Sequence, residues 1–535
     1  MTVPPLYTLT LSSAHEGFQN GTLTSVSLVQ AYLQRISEVD HEFHSIIETN
    51  PDALRIAAHC DLEREITSGA GLTAFHGIPI LLKDNIITLD SMEATAGSCA
   101  LVGAKPKQES DVVAALRRMG AVVLGKTNMA EWSGFRSTSG CSGWSARGGQ
   151  TQGLFLKGMK GSGSSTGSAI ATAVGLGFAA LGTETCYSIV SPAEKSGVVG
   201  FKPTRNLIPS TGIIYASHSQ DTVGVLARSV QDAGNLVQEI AWYADIPSES
   251  NNNVPENRVK KPKLGLALEH LELIGIRIGI PSDMPEIKNL AGVRKQAFEE
   301  ALKVLADAGA EIVQGVEIEG AKEFVDLPTA KKQIVLDTDM KTAINTYFSS
   351  LHTNPQNIRS LADLIAFTKS HPDEEYPNRN VAVFERAEAT NPEAGAYKEM
   401  VEKDKWFAGE GGIPGALERE NLDVILMPHL SVTMSTFAAK AGSPALSLPM
   451  GVYPEDTLVK LDSGNGMLDV GPGIPFSLYI FGDVGKDEDV LKVAYVFEQL
   501  KGNKVRESLK PYVKPKTEIM DIFREGTGED RSSRP

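Results

Sequence analysis

The 535-residue sequence predicts an α/β fold, and three observations carry that reading. Short apolar runs alternate with segments whose apolar residues recur at three- and four-residue spacing. Hydrophobic residues make up 41% and charged residues 22% of the chain, which suits a packed globule rather than a disordered one. No internal repeat and no run of 18 apolar residues occurs, so neither a solenoid nor a membrane-spanning helix is expected.

The elements follow in chain order. Thr24 or Ser25 caps a helix carried by Val26, Val29, Leu33 and Ile36. Residues 75–82 are an apolar run leading into Lys83-Asp84-Asn85, read as a buried strand with a lysine at its end. Residues 111–119 read as a helix stopped by Gly120, and 121–124 as the next strand. The glycine- and serine-rich stretch 158–168 opens into a small-residue helix over 169–181. A strand at 275–280, a helix at 290–308 and a strand at 309–316 repeat the alternation. The polar stretch from Pro247 to Asn253 is read as a surface insertion near 246–263. That gives one α/β domain over 1–523, with a frayed tail over 524–535.

Charge and cysteine usage narrow the function. With 51 basic and 66 acidic residues the formal net charge is −15, which argues against a nucleic-acid partner. The Lys260-Lys261-Pro262-Lys263 run is broken by proline and reads as solvated linker. The N-terminus has no basic region followed by an apolar one, so a secretory signal is not expected. Four cysteines (Cys60, Cys99, Cys141 and Cys186) show no paired framework, which points to a reducing, cytoplasmic setting. No His, Cys, Asp or Glu cluster has metal-ligand spacing, so no metal is expected.

Two motif matches fail on their physics. Residues 120–127 fit the phosphate-loop pattern, but their four middle residues are themselves the expected strand. Gly163-Ser164-Ser165-Thr166-Gly167 fits the nucleophile elbow, with Ser165 as the nucleophile. Downstream, only His218 and His429 are candidate bases, and neither has an evident acidic orienter.

Lys83, Ser164 and Ser188 remain. A lysine at the end of an apolar strand is desolvated, which favours its neutral form and makes it a base near pH 7. Ser164 sits in a glycine-rich turn before a helix, and Ser188 in a second turn after an apolar segment. Their order and context resemble the amidase signature family, in residues 76–85 (HGIPILLKDN), 125–136, 143–150, the block 161–204, 441–451 and 473–482. The resemblance implies a mixed, twisted central sheet covered by helices on both sides. It also implies an amidase with a Ser-Ser-Lys triad that forms an acyl-enzyme without a cofactor. Lys83 would be the base, Ser164 the relay on a cis peptide bond and Ser188 the nucleophile. Backbone N–H groups from Thr185 to Ser188 would hold the oxyanion. The partner would be a small-molecule amide, the oligomer a homodimer, and the likeness is to stand-alone fungal and bacterial amidases rather than to a tRNA-dependent amidotransferase subunit.

The departure lies at Cys186-Tyr187, where family members carry Gly-Gly or Asp-Gly. Tyrosine held at positive φ would be strained. Tyr187 therefore either reshapes the acyl pocket or cripples the oxyanion site, which leaves an impaired, amide-binding relative as the alternative reading. Cys186 as nucleophile is disfavoured, because it stands two residues from the serine. Trp132 and Phe135 are candidates both for the pocket and for the core.

Overall fold

The computed structural model describes residues 5–140, 142–244 and 270–527. Eleven strands form one sheet: β1 Ile46–Thr49, β2 Pro79–Lys83, β3 Val122–Thr127, β4 Ala179–Glu184, β5 Val199–Lys202, β6 Thr222–Ala227, β7 Arg277–Pro281, β8 Glu311–Val316, β9 Val424–Met427, β10 Ala445–Val452 and β11 Pro475–Gly482. Their spatial order is β1-β3-β2-β4-β6-β5-β10-β11-β9-β7-β8. β2 runs parallel to both β3 and β4, and β7 parallel to β8 and β9. The other pairings are antiparallel, so the sheet is mixed, and helices flank it as expected.

Local signals explain most elements. Helix α1, Ser25–Phe43, starts on a capping box in which Thr24 and Ser27 satisfy each other's backbone N–H groups. Every residue of β2 is buried, the signature of a strand covered on both faces. Helix α2, Thr166–Val174, is shorter than the 169–181 expected from the sequence. Gly175 stops it in the left-handed conformation at φ 76°. The chain then enters β4 at Ala179, inside the predicted helix. Helix α3, Val190–Ser196, follows β4 after a short turn. The polar insertion near 246–263 lies outside the described residues. The last helix, Ile519–Thr527, runs four residues into the stretch read as a tail. No helix among the described residues is long and apolar enough to cross a membrane.

Segments between β8 and β9, including helix α4 over Thr329–Ser350, build two further apolar clusters beside the main core. Helix α5, Val432–Ala441, follows β9 and joins the second of them. A buried ionic knot ties one cluster down. Arg136 donates to Glu131 and to Glu374, each at 2.7 Å, with all three side chains fully buried. Burial, with the second carboxylate beside it, pushes Glu131 well above the usual carboxylate range. Glu374 also accepts from Ser98 Oγ at 2.8 Å and from Cys99 N at 2.9 Å, which ties the 98–99 turn to the 372–374 turn.

Candidate active site

Lys83 is the last residue of β2, and β4 ends beside it at the same edge because the two strands are parallel. Its ammonium is fully buried and reaches Ser164 Oγ at 2.7 Å, Thr183 Oγ1 at 2.8 Å and Thr183 O at 2.9 Å. Among the described residues no carboxylate pairs directly with it. Burial brings its pKa down to about 7, against the opposing pull of Asp221 and Glu184. In the neutral amine, two N–H groups can donate to Thr183, which leaves the lone pair facing the Ser164 hydroxyl.

A sign follows for pH. A base at Lys83 would act in its neutral form, so kcat/KM is expected to rise through a midpoint near pH 7 and to fall tenfold per unit on the acidic side. A pH–rate profile checks this, and a flat profile from pH 5 to 9 would remove Lys83 as the base.

Ser164 follows a cis peptide bond from Gly163, as expected for the relay. Its carbonyl accepts from Ala130 N at 3.0 Å. The neighbouring Ser165 faces the other way. Its hydroxyl donates to Thr183 O at 3.0 Å and accepts from Thr183 N at 3.3 Å. A side chain at Gly182 would run into that hydroxyl, at 2.7 Å, so glycine lets α2 seat on β4. The elbow reading fails on this geometry, because Ser165 is fully buried and occupied by the strand. His218 stacks on Tyr215, and neither His218 nor His429 lines the cavity that holds the other groups.

Ser188 stands in the turn between β4 and α3, and its carbonyl accepts from Ser165 N at 3.0 Å. Glu184 shapes that turn: one carboxylate oxygen accepts from Ile189 N at 2.7 Å and Val190 N at 3.1 Å. Among the described residues, no protein acceptor takes the N–H groups of Cys186, Tyr187 or Ser188. Thr185 Oγ1 donates to Asp221 at 2.6 Å. Ser164, Cys186, Tyr187 and Ser188 all line one cavity of about 360 Å³. Phe135 lines it too, while Trp132 is core, packed near the rings of Phe348 and Phe384.

The Cys186-Tyr187 departure is resolved in backbone terms. Neither residue has positive φ, so tyrosine carries no strain of the kind expected from glycine's usual place there. Its ring is half-buried against the apolar cluster of Phe324, Phe407 and Phe437. Burial pushes the Cys186 thiol up to about 12, which keeps it protonated and removes it as a nucleophile.

Two sets of potential metal ligands converge in space despite their sequence spacing: Cys60 with Glu63 and His76, and Cys99 with His371 and Asp373. In the first, His76 is already engaged by Glu63 at 2.9 Å. Neither set lines the cavity. Residues 122–127 lie in the sheet as β3, between β1 and β2, which leaves no loop to hold a phosphate.

Sequence reasoning missed Thr183, Glu184 and Asp221. Each is a buried polar residue within or beside an apolar strand, an arrangement that needs a dedicated partner. That polarity was the available signal.

Comparison with known proteins gives concordant results. The family model described as Amidase matches residues 27–491. A protein of Arthroderma benhamiae named "Putative amidase" is 38% identical over 516 residues, covering 95% of this chain and 84% of that one. A probable amidase of Arabidopsis thaliana is 33% identical over 494 residues, covering 92% and 89% respectively. The crystal structure of native peptide amidase from Stenotrophomonas maltophilia superposes with a TM-score of 0.78 at 34% identity, covering 95% of this chain and 99% of that chain.

Proposed function

The chain belongs to the amidase family and is an amide-hydrolysing enzyme, and from that premise we propose that it cleaves its substrate through an acyl-enzyme on Ser188. Neutral Lys83 takes the proton of Ser164 Oγ while Ser164 takes that of Ser188 Oγ. Ser188 then attacks the amide carbonyl carbon. The oxyanion is received by backbone N–H groups in the 185–188 turn. The proton returns through Ser164 to the nitrogen, the C–N bond breaks, and ammonia or an amine leaves. Water, deprotonated by the same relay, attacks the ester and frees Ser188. The 2.7 Å approach of Lys83 Nζ to Ser164 Oγ, with Ser164 and Ser188 lining one cavity, supports this reading above all else.

The peptide amidase likeness supports the amide of a peptide as the substrate. The test is incubation with a fluorophosphonate, followed by peptide mass spectrometry. A stoichiometric adduct on Ser188 that is lost in Lys83→Ala is the expected result. An adduct on Ser165, or none in folded protein, overturns the assignment.

Tyr187 is a wall of the pocket rather than a defect. Tyr187→Gly is therefore expected to change kcat/KM for peptide amides with bulky residues by about 10- to 100-fold relative to small amides. Under the impaired reading, the same change would instead raise hydrolysis of all amides together. A panel of peptide amides differing only in the terminal residue separates the two.

A further inference from the structure

Asp221 lies just before β6, buried against the turn that carries Ser188. One carboxylate oxygen accepts from Thr185 Oγ1 at 2.6 Å. The other accepts from Ala216 N at 2.7 Å and Ser217 N at 3.2 Å. Thr183 holds Lys83, and Thr185 is held by Asp221. Asn85, two residues after Lys83, adds a second tie: it donates to Thr183 Oγ1 at 3.0 Å and Ile214 O at 3.2 Å. The 214–221 segment thus braces both arms of the site from behind, without lining the substrate cavity.

Resting on the proposed Ser188 chemistry, we propose that Asp221 is a positioning residue with two effects. It fixes Thr185 at the head of the oxyanion turn, and its negative charge sets the point at which Lys83 gives up its proton. Asp221 is the stronger and Glu184 the second of the carboxylates acting on Lys83. Glu184 is itself balanced mainly by Lys202 and tied to the backbone of Ile189 and Val190. Lys83, the Tyr215 phenol and the Cys186 thiol also sense Asp221. Both of the latter stay neutral at the pH of interest. Burial pushes Asp221 up to about 6, close to Lys83, so the two groups titrate as a coupled pair and the charge is fully present on the upper part of the rise. Removing that charge withdraws support from the ammonium form, and Lys83 then deprotonates at lower pH.

The experiment measures the pH dependence of fluorophosphonate labelling of Ser188 in wild type, Asp221→Asn and Thr185→Val, with melting curves alongside. In Asp221→Asn the acidic midpoint is expected to move down by about one pH unit and the plateau rate to fall at least about tenfold. In Thr185→Val, which keeps the charge and loses the tie, the plateau is expected to fall about tenfold with the midpoint unmoved. An unmoved midpoint in Asp221→Asn overturns the charge effect, and an unchanged plateau in Thr185→Val overturns the positioning effect. Should Asp221→Asn not fold, Asp221→Ser, which leaves room for water on the freed amides, carries the midpoint test. Absence of Ser188 labelling in wild type would overturn the underlying chemistry instead, a separate outcome.

Discussion

Ser188→Ala is expected to lower kcat by about a millionfold while leaving the melting temperature nearly unchanged. The reasoning is local. The side chain of Ser188 opens onto the cavity, and its backbone carbonyl, which anchors Ser165 N, is retained in alanine. Stability should therefore stay within about 0.5 kcal/mol. Steady-state hydrolysis and a thermal melt on the same sample check both halves. Residual activity within a hundredfold of wild type would mean that another group forms the acyl intermediate.

Lys83→Met carries the second large effect, of a different kind. Methionine keeps an unbranched apolar stem, one atom shorter than lysine, but cannot accept a proton from Ser164. General-base catalysis is worth about a hundred- to ten-thousandfold, and kcat/KM is expected to fall by that factor at pH 8. The variant also deprives Ser164 Oγ of its lysine partner, while Thr183 Oγ1 keeps Asn85, at a cost of about 1–3 kcal/mol for an unsatisfied buried polar group. That cost is offset in part because a lysine held near pKa 7 is itself strained by desolvation. The diagnostic feature is the profile: what activity remains should lose its rise near pH 7. A retained rise would place the titrating group elsewhere.

The difference in legibility between these residues has a physical origin. Lys83 could be read because an apolar run ending in a cation is unusual, and Ser164 and Ser188 because both stand in turns bounded by clear elements. Their mutual contact, 81 residues apart for Lys83 and Ser164, came from family resemblance rather than from pattern. The ties of Thr183 to Lys83 and of Asp221 to Thr185 were illegible for the same reason: they span 100 and 36 residues, and no local period encodes such a pairing. The helix expected over 169–181 absorbed part of β4 because Ala179-Ala180-Leu181 suits a buried strand as well as a helix. Tyr187 shows the opposite error. A rule that tied its neighbourhood to positive φ predicted strain, yet this turn closes through the Glu184 carboxylate and places no such demand on it.

The cavity is assembled from two separate stretches of the chain. Lys83, Ser164 and Ser188 all fall within residues 83–188, whereas outer walls come from Gln333 and Leu336 of α4, Val432 and Thr436 of α5, and the 462–465 turn. The proposed relay is thus confined to the earlier stretch, whereas the pocket wall draws on both, Tyr187 from the first and these residues from the second. Divergence in the later part can reshape the outer wall while the residues of the proposed relay are inherited unaltered.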